Sequence, residues 1–254
     1  MKVAVHPDPV TAARAAAATA ARLLREAIAA RGGAAFVAAT GVSQIAFLDD
    51  LVAEPGIDWP RTTLFHLDEY IGFPADHPAS FRRYLRERLT SRVPVGTAHF
   101  IEGDAPDLAG ELSRLNRVLA ATPIDVAFLG IGENGHLAFN DPPADFETET
   151  PFILVALDEE CRRQQFREGW FPSLDAVPRR AISMSIRQIM KAGSVVCTAP
   201  EGRKARAVKL TLEAEVGPRA PASILRRHPR CFLYLDRDSA GELSRETLAA
   251  LPDA

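Results

Sequence analysis

The stretch Val126–Pro143, VAFLGIGENGHLAFNDPP, decides how the rest of the chain is read. Ile124 to Leu129 are apolar and partly β-branched, the pattern of a strand buried on both faces in a parallel sheet. The strand runs into a loop with glycines at 130, 132 and 135, and Asn134, His136, Asn140 and Asp141 follow within eight residues. Open α/β sheets bind ligands just past the carboxyl ends of such strands, so this loop is the candidate site. Gly130, Gly132 and Gly135 also spell GxGxxG. A dinucleotide site needs a long helix after the third glycine to receive the pyrophosphate, and Pro142 and Pro143 forbid one, so the dinucleotide reading is weak. A lone histidine in a glycine turn is usually structural. His136 has an amide two residues before it and a carboxylate five after, at a sheet's functional edge, and is read as functional.

Working outward, the chain has 254 residues, 47% hydrophobic and 25% charged, with a formal charge of -3 spread along its length. That is ordinary globular composition, and one α/β domain over residues 1–254 is favoured over two small ones. No basic block asks for nucleic acid and no surface for a membrane. The start, MKVAVHPDPV, lacks the order of a signal peptide, and no apolar run approaches the roughly 18 residues that span a bilayer, so a cytoplasmic protein is expected. Cys161, Cys197 and Cys231 are an odd number without CxxC spacing and read as reduced core residues. A nucleophilic Cys161 beside Arg162 and Arg163 is the weaker reading.

Towards the N-terminus, Lys2 to Val5 reads as a strand, and Asp8-Pro9 caps an alanine-rich helix that Gly32-Gly33 ends after Arg31. Ala34 to Ala39 is the next strand, followed by Thr40-Gly41-Val42-Ser43-Gln44 and an amphipathic helix through Val52. A loop at a helix N-terminus offers free N–H groups and a favourable dipole to a phosphate, with Thr40 and Ser43 as extra donors; Ser43 as a simple cap is the equal alternative. Thr62 to Leu67 delivers Asp68-Glu69-Tyr70 to the same edge. Adjacent acids on a strand point to opposite faces, so Asp68 is assigned inward and Glu69 to solvent or a basic partner. A proline-broken loop, IGFPADHPAS, leads to a helix over Phe81 to Leu89. Ala98 to Ile101 is a short strand and Leu108 to Ala121 a helix.

Towards the C-terminus, Phe152 to Leu157 is extended and a helix opens at Asp158, where Arg162 is expected to clamp an anion with its planar fork. Arg180 to Ile186 is strand-like, and Ser194 to Thr198 is so apolar that it must be central. It ends in Ala199-Pro200-Glu201-Gly202-Arg203-Lys204, which opens another helix and repeats the arrangement at Thr40. A lysine in a first helical turn opposes the macrodipole, so Lys204 is assigned a compensating anion. Ser223 to His228 is a short helix, Cys231 to Leu235 the last strand and Ser239 to Ala250 a closing helix.

These strands bring an anion cradle (Thr40, Ser43, Arg162, Lys204) and an acid/base set (Asp68, His136, Asp141) to one edge, with Gly132 where backbone approaches a ligand closely. A small-molecule sugar phosphate fits both sets. Proton shuttling next to a carbonyl needs a carboxylate, and a histidine near neutral pKa to open a sugar ring. No metal is demanded, because the candidate ligands lack short fixed spacing. A homo-oligomer stays open.

FHLDEY, GIGENGHLAFNDP, the ATG loop and GRKA resemble the glucosamine-6-phosphate deaminases, in the larger group with 6-phosphogluconolactonases and pentose-phosphate isomerases. The resemblance runs from about Ala34 to His228. It implies a Rossmann-like, open, mostly parallel sheet with helices on both faces, and cofactor-free conversion of glucosamine 6-phosphate to fructose 6-phosphate and ammonia. It implies that Asp68 moves a proton between C2 and C1, that His136 assists ring opening and that Asp141 supports His136. It also implies that Thr40, Gly41, Val42, Ser43, Arg162 and Lys204 hold phosphate. The family pattern has Asp-Gly-His and Asn-Glu-Pro where this chain has Asn134-Gly135-His136 and Asn140-Asp141-Pro142, and Val42 replaces a hydroxyl residue. An amide supplies no charge to an imidazolium and Asp is one methylene shorter than Glu, so a related substrate such as galactosamine 6-phosphate stays open. The lactonase alternative fits less well, because that branch follows Gly-His with Thr-Ala-Ser-Leu-Phe-Pro and here Leu137-Ala138-Phe139-Asn140 follows. A non-catalytic sugar-phosphate regulator would have no use for Asp68.

Overall fold

Alternation along the central strands sets the architecture. In the computed structural model, which describes residues 1–251, the first half of the chain forms β1 (Lys2–His6), α1 (Pro9–Arg31), β2 (Ala34–Ala38), α2 (Ile45–Ala53), β3 (Thr62–His66), β4 (Asp68–Tyr70), α3 (Phe81–Leu85), β5 (Thr97–His99) and α4 (Leu108–Ala120). The second half forms β6 (Val126–Gly130), β7 (Phe152–Ala156), α5 (Glu159–Arg167), β8 (Arg180–Met184), α6 (Ile186–Met190), β9 (Ser194–Thr198), α7 (Ala205–Glu213), β10 (Cys231–Asp236) and α8 (Arg245–Ala250). Seven strands pair in parallel in the order β1-β10-β9-β6-β2-β3-β5.

Because successive strand residues face opposite sides, Phe36, Val126 and Phe128 pack with α1 and α2 on one face. Val37, Ala127 and Leu129 pack with α4, α6 and α7 on the other. Covering both faces is what makes the strands continuous apolar runs. The long first helix follows its local signals: Asp8 accepts from the Thr11 N–H, Pro9 occupies the first turn, and Gly32 closes it at φ 78°, a left-handed angle that glycine adopts without strain.

The chain moves outward from β2 through β3 and β5, then returns to the other side of β2 with β6 and continues through β9 and β10. The order therefore reverses between β2 and β6, and a crevice opens there at the carboxyl ends.

Three elements depart from the sequence reading. Asp68 does not end a strand of the main sheet, because at Leu67 the chain crosses into a second, antiparallel sheet of order β4-β8-β7. The Leu67 carbonyl accepts from the Met184 N–H at 3.0 Å, tying the crossing point to β8. The helix expected to reach Leu89 is regular only to Leu85 and continues as a π-turn over Arg86–Thr90. The closing helix begins at Arg245 rather than Ser239, because Ser239 is held against Asp236: its N–H donates to Asp236 Oδ1 at 2.6 Å and its Oγ accepts from the Asp236 N–H at 3.1 Å. Among the described residues no helix is long and apolar enough to cross a membrane.

Candidate active site

A cleft lies at this crevice. Thr40, Gly41 and Ser43 enter it after β2, Asp68 at the start of β4, Gly132 and His136 after β6, and Lys204 after β9. Groups remote in sequence thus share one rim, and Asp68 and His136 face the same space.

One end is built from two matching turns. Val42–Gln44 and Gly202–Lys204 are 3-10 turns that open α2 and α7, preceded by Gly41 at φ 97° and Glu201 at φ 76°. No side-chain cap bond forms at either turn, so Ser43 lines the cleft instead of capping a helix. Gln44, buried, donates to Thr198 Oγ1 at 2.8 Å and fixes the first turn to the end of β9. Lys204 is buried, and among the described residues no carboxylate lies within ion-pair distance of it. Burial pushes its pKa down to about 8 despite the opposing charge of Glu168. Its neighbour Arg203 is already shared among Glu201, Glu168 and Glu133. An unpaired buried ammonium beside a glycine turn has the chemistry to hold an anion.

The same cleft carries the acid and base candidates, Asp68 and His136. Asp68 is buried, and loss of hydration, reinforced by the charge of Glu69, raises its pKa to about 8. Glu69 points the other way, as alternation requires, but meets a helix start more than a base: it accepts from Ser80 Oγ at 2.9 Å, Phe81 N at 3.1 Å and Arg82 N at 2.8 Å, with Arg82 Nε 3.8 Å away. His136 sits in a closed loop in which the Gly132 N–H donates to the His136 carbonyl at 3.0 Å and the His136 N–H donates to Asn134 Oδ1 at 3.0 Å. Asp141 Oδ1 lies 3.0 Å from His136 Nδ1, close in distance but off the line of a well-formed hydrogen bond. Burial opposes the charge on Asp141, yet the contact with His136 and donors from Asn134 Nδ2 and Asp158 N, each at 3.0 Å, outweigh it and hold its pKa below the ordinary value. The shorter Asp therefore reaches the histidine. Asn134 contributes no charge but joins Asp141 to Asp158, to which it donates at 3.1 Å, and does not itself line the cleft.

Arg162 is a correction. Its guanidinium is occupied by the carbonyls of Leu174 at 2.7 Å and Val177 at 3.2 Å and by Glu159 at 3.0 Å, on the side of α5 away from the cleft. Two residues on, about 200° around a helix, Gln164 faces the cleft with Gln165 and Glu168. These residues were not foreseen from the sequence. Gln165 accepts from the Tyr70 hydroxyl at 2.7 Å, and Gln164 donates to Glu168 at 2.9 Å. A faint signal existed in three polar groups at positions i, i+1 and i+4 of one helix. Val42 does not line this cleft but an adjacent one, with Pro9 and Pro200. Cys161, Cys197 and Cys231 are buried and unbridged, and burial raises the Cys161 thiol pKa well above its usual value, against a nucleophilic role.

Residues 7–233 match the family described as glucosamine-6-phosphate isomerases/6-phosphogluconolactonase. The chain belongs to this family. Within the glucosamine-6-phosphate isomerase/6-phosphogluconolactonase family it is 36% identical over 205 residues to a glucosamine-6-phosphate deaminase of Lactobacillus delbrueckii subsp. bulgaricus, covering 81% of this chain and 86% of that protein. It is 34% identical over 218 residues to the deaminase of Bacillus cereus, covering 86% and 81%. A solved monomeric glucosamine-6-phosphate deaminase superposes with a TM-score of 0.86 at 28% identity, over 95% of this chain and 99% of that one. The 6-phosphogluconolactonase of Trypanosoma brucei, at 18% identity and a TM-score of 0.76 over 96% and 98%, shares the fold.

Proposed function

We propose that this enzyme isomerises and deaminates glucosamine 6-phosphate, giving fructose 6-phosphate and ammonia. The observation that carries the reading is the single cleft lined by Asp68, His136 and Lys204 together, supported by the deaminase relatives. Lys204, the N–H groups of the Thr40–Ser43 turn and the Thr40 and Ser43 hydroxyls hold the phosphate. His136 moves the proton between O1 and O5 that opens the ring, and Asp141 stabilises the imidazolium formed in passing. Asp68 then takes the proton from C2, which is acidified by the C1 aldehyde, and returns it to C1. The C2 imine that results adds water and releases ammonia, so each turnover consumes one water. Asn134 positions Asp141, and Gly132 gives the imidazole its space. A phosphorylated sugar does not cross a bilayer unaided, so the reading puts the enzyme in the compartment where the sugar is phosphorylated, the cytoplasm in this proposal.

The direct test incubates the purified protein separately with glucosamine 6-phosphate, galactosamine 6-phosphate and 6-phosphogluconolactone and measures ammonia, ketose phosphate and lactone opening. Equal amounts of ammonia and fructose 6-phosphate from the first substrate are expected. Lactone hydrolysis without ammonia would transfer the assignment to the lactonase.

The pH profile follows from two groups with opposite requirements. Asp68 must be ionised and gains that form as pH rises through about 8, whereas Lys204 must be charged and loses that form over the same range. A bell-shaped kcat/KM centred near pH 8 is expected. Lys204→Met separates the limbs: the alkaline fall attributable to the lysine should vanish while the acid limb stays. The same variant is expected to raise KM for the sugar phosphate by about 10–100-fold, the scale of one charge-assisted hydrogen bond of about 1.5–3 kcal/mol. Its melting temperature should hold or rise, because a buried unpaired charge has been removed. An unchanged KM would remove Lys204 from the phosphate site.

A further inference from the structure

Behind the catalytic histidine, His136, Asp141 and Cys161 each present one ligand atom, and these atoms lie within 4.8 Å of one another. His136 is 7% exposed and Cys161 1%, and His136 Nδ1 has no aligned hydrogen-bond partner despite its contact with Asp141. The surroundings hold the three groups in place as outer-shell partners do in metal sites. Asn134 Nδ2 and Asp158 N bind the two Asp141 oxygens at 3.0 Å each, and Asp158 Oδ1 receives the Cys161 N–H at 2.6 Å. Cys161 is far from His136 in sequence, so spacing along the chain does not reveal the cluster.

We propose that His136, Asp141 and Cys161 form an inhibitory binding site for a zinc-like transition-metal ion, reached through the cleft. Imidazole, carboxylate and thiol form a donor set suited to Zn²⁺ rather than Mg²⁺ or Ca²⁺. Ligand atoms around tetrahedral zinc stand about 3.3–3.7 Å apart. The His136–Asp141 pair, at 3.0 Å, therefore opens by a few tenths of an ångström and the cysteine sulfur closes by at most about 1 Å, with water from the cleft as the fourth ligand. Binding uses the His136 Nδ1 lone pair and one Asp141 oxygen, and replaces the Cys161 S–H bond by a metal–sulfur bond, the proton leaving to solvent. Catalysis needs that same Nδ1 to carry a proton against Asp141, so metal and turnover exclude each other. The inhibition rests on the deaminase reading; the metal site does not.

The experiment titrates Co²⁺ into the unaltered protein and follows thiolate-to-cobalt absorption, then repeats the titration and a Zn²⁺ inhibition assay on Cys161→Ala. One equivalent with thiolate absorption is expected, along with Zn²⁺ inhibition that a chelator reverses. Losing a single outer-shell partner costs metal affinity about 10–100-fold, so loss of the thiolate should weaken binding by at least about 100-fold while turnover without metal persists. Absence of thiolate absorption from the unaltered protein overturns the site without reference to any substrate or to the folding of the variant. Equal metal affinity in Cys161→Ala overturns it as well. Metal bound through Cys161 with no deaminase activity in any preparation would leave the site standing and remove the deaminase reading.

Discussion

Replacing Asp68 with Asn is expected to lower kcat on glucosamine 6-phosphate by about 10²–10⁴-fold, the range for losing a positioned general base. The substitution keeps size and shape but leaves an amide that cannot accept the C2 proton. Inorganic phosphate should bind as before, because the Thr40–Ser43 loop and Lys204 follow other strands and are left unaltered. The folded state should be no less stable, since burial and Glu69 already disfavour the Asp68 charge, whose pKa is raised to about 8. The acid limb of the pH profile should also disappear from any residual activity. Turnover within a few-fold of the unaltered enzyme would end the proton-transfer assignment.

Gly132→Ala should be nearly as damaging although it removes no functional group. A Cβ built at residue 132 falls 2.2 Å from His136 Nε2, 2.3 Å from Cε1 and 2.4 Å from Cδ2, so the imidazole has to leave its position. Misplacing a reacting group by about 1 Å costs on the order of 10²-fold in rate. Gly132 does not have a left-handed φ, so the backbone itself accepts alanine and the protein should fold. The expected result is a kcat lowered by about 10²-fold with KM changed far less. Unaltered kcat in a folded variant would show that His136 is not held where the mechanism requires it.

The parallel sheet and the loops at its carboxyl edge were legible because their signals are local. Two-sided apolar runs, a glycine that ends α1 and the repeated turn chemistry at Thr40 and Lys204 act over a few residues each. The small sheet was not legible. β4 has only three residues, and its pairing with β8 depends on a segment more than a hundred residues away. The inward face of α5 was misread for a related reason: the helix exposes Phe166 at 40% and buries Gln164 and Gln165 at 5% each, the reverse of what polarity suggests. Polar groups buried against a binding cleft break the pattern from which helix faces are inferred. Arg162 drew attention as a cation, while its actual partners are carbonyls of a loop whose position only the folded chain defines.

The crossing at Leu67 divides the machinery between two supports. The Thr40–Ser43 loop, the imidazole and the lysine follow strands of the parallel layer, whereas Asp68, the proposed C2 base, belongs to β4 and its antiparallel neighbours. On the proposed reaction, a hexose phosphate seated between them would be a strut joining two platforms. Reaction geometry depends on how stiffly a single leucine joint and its bond to Met184 keep those platforms in register.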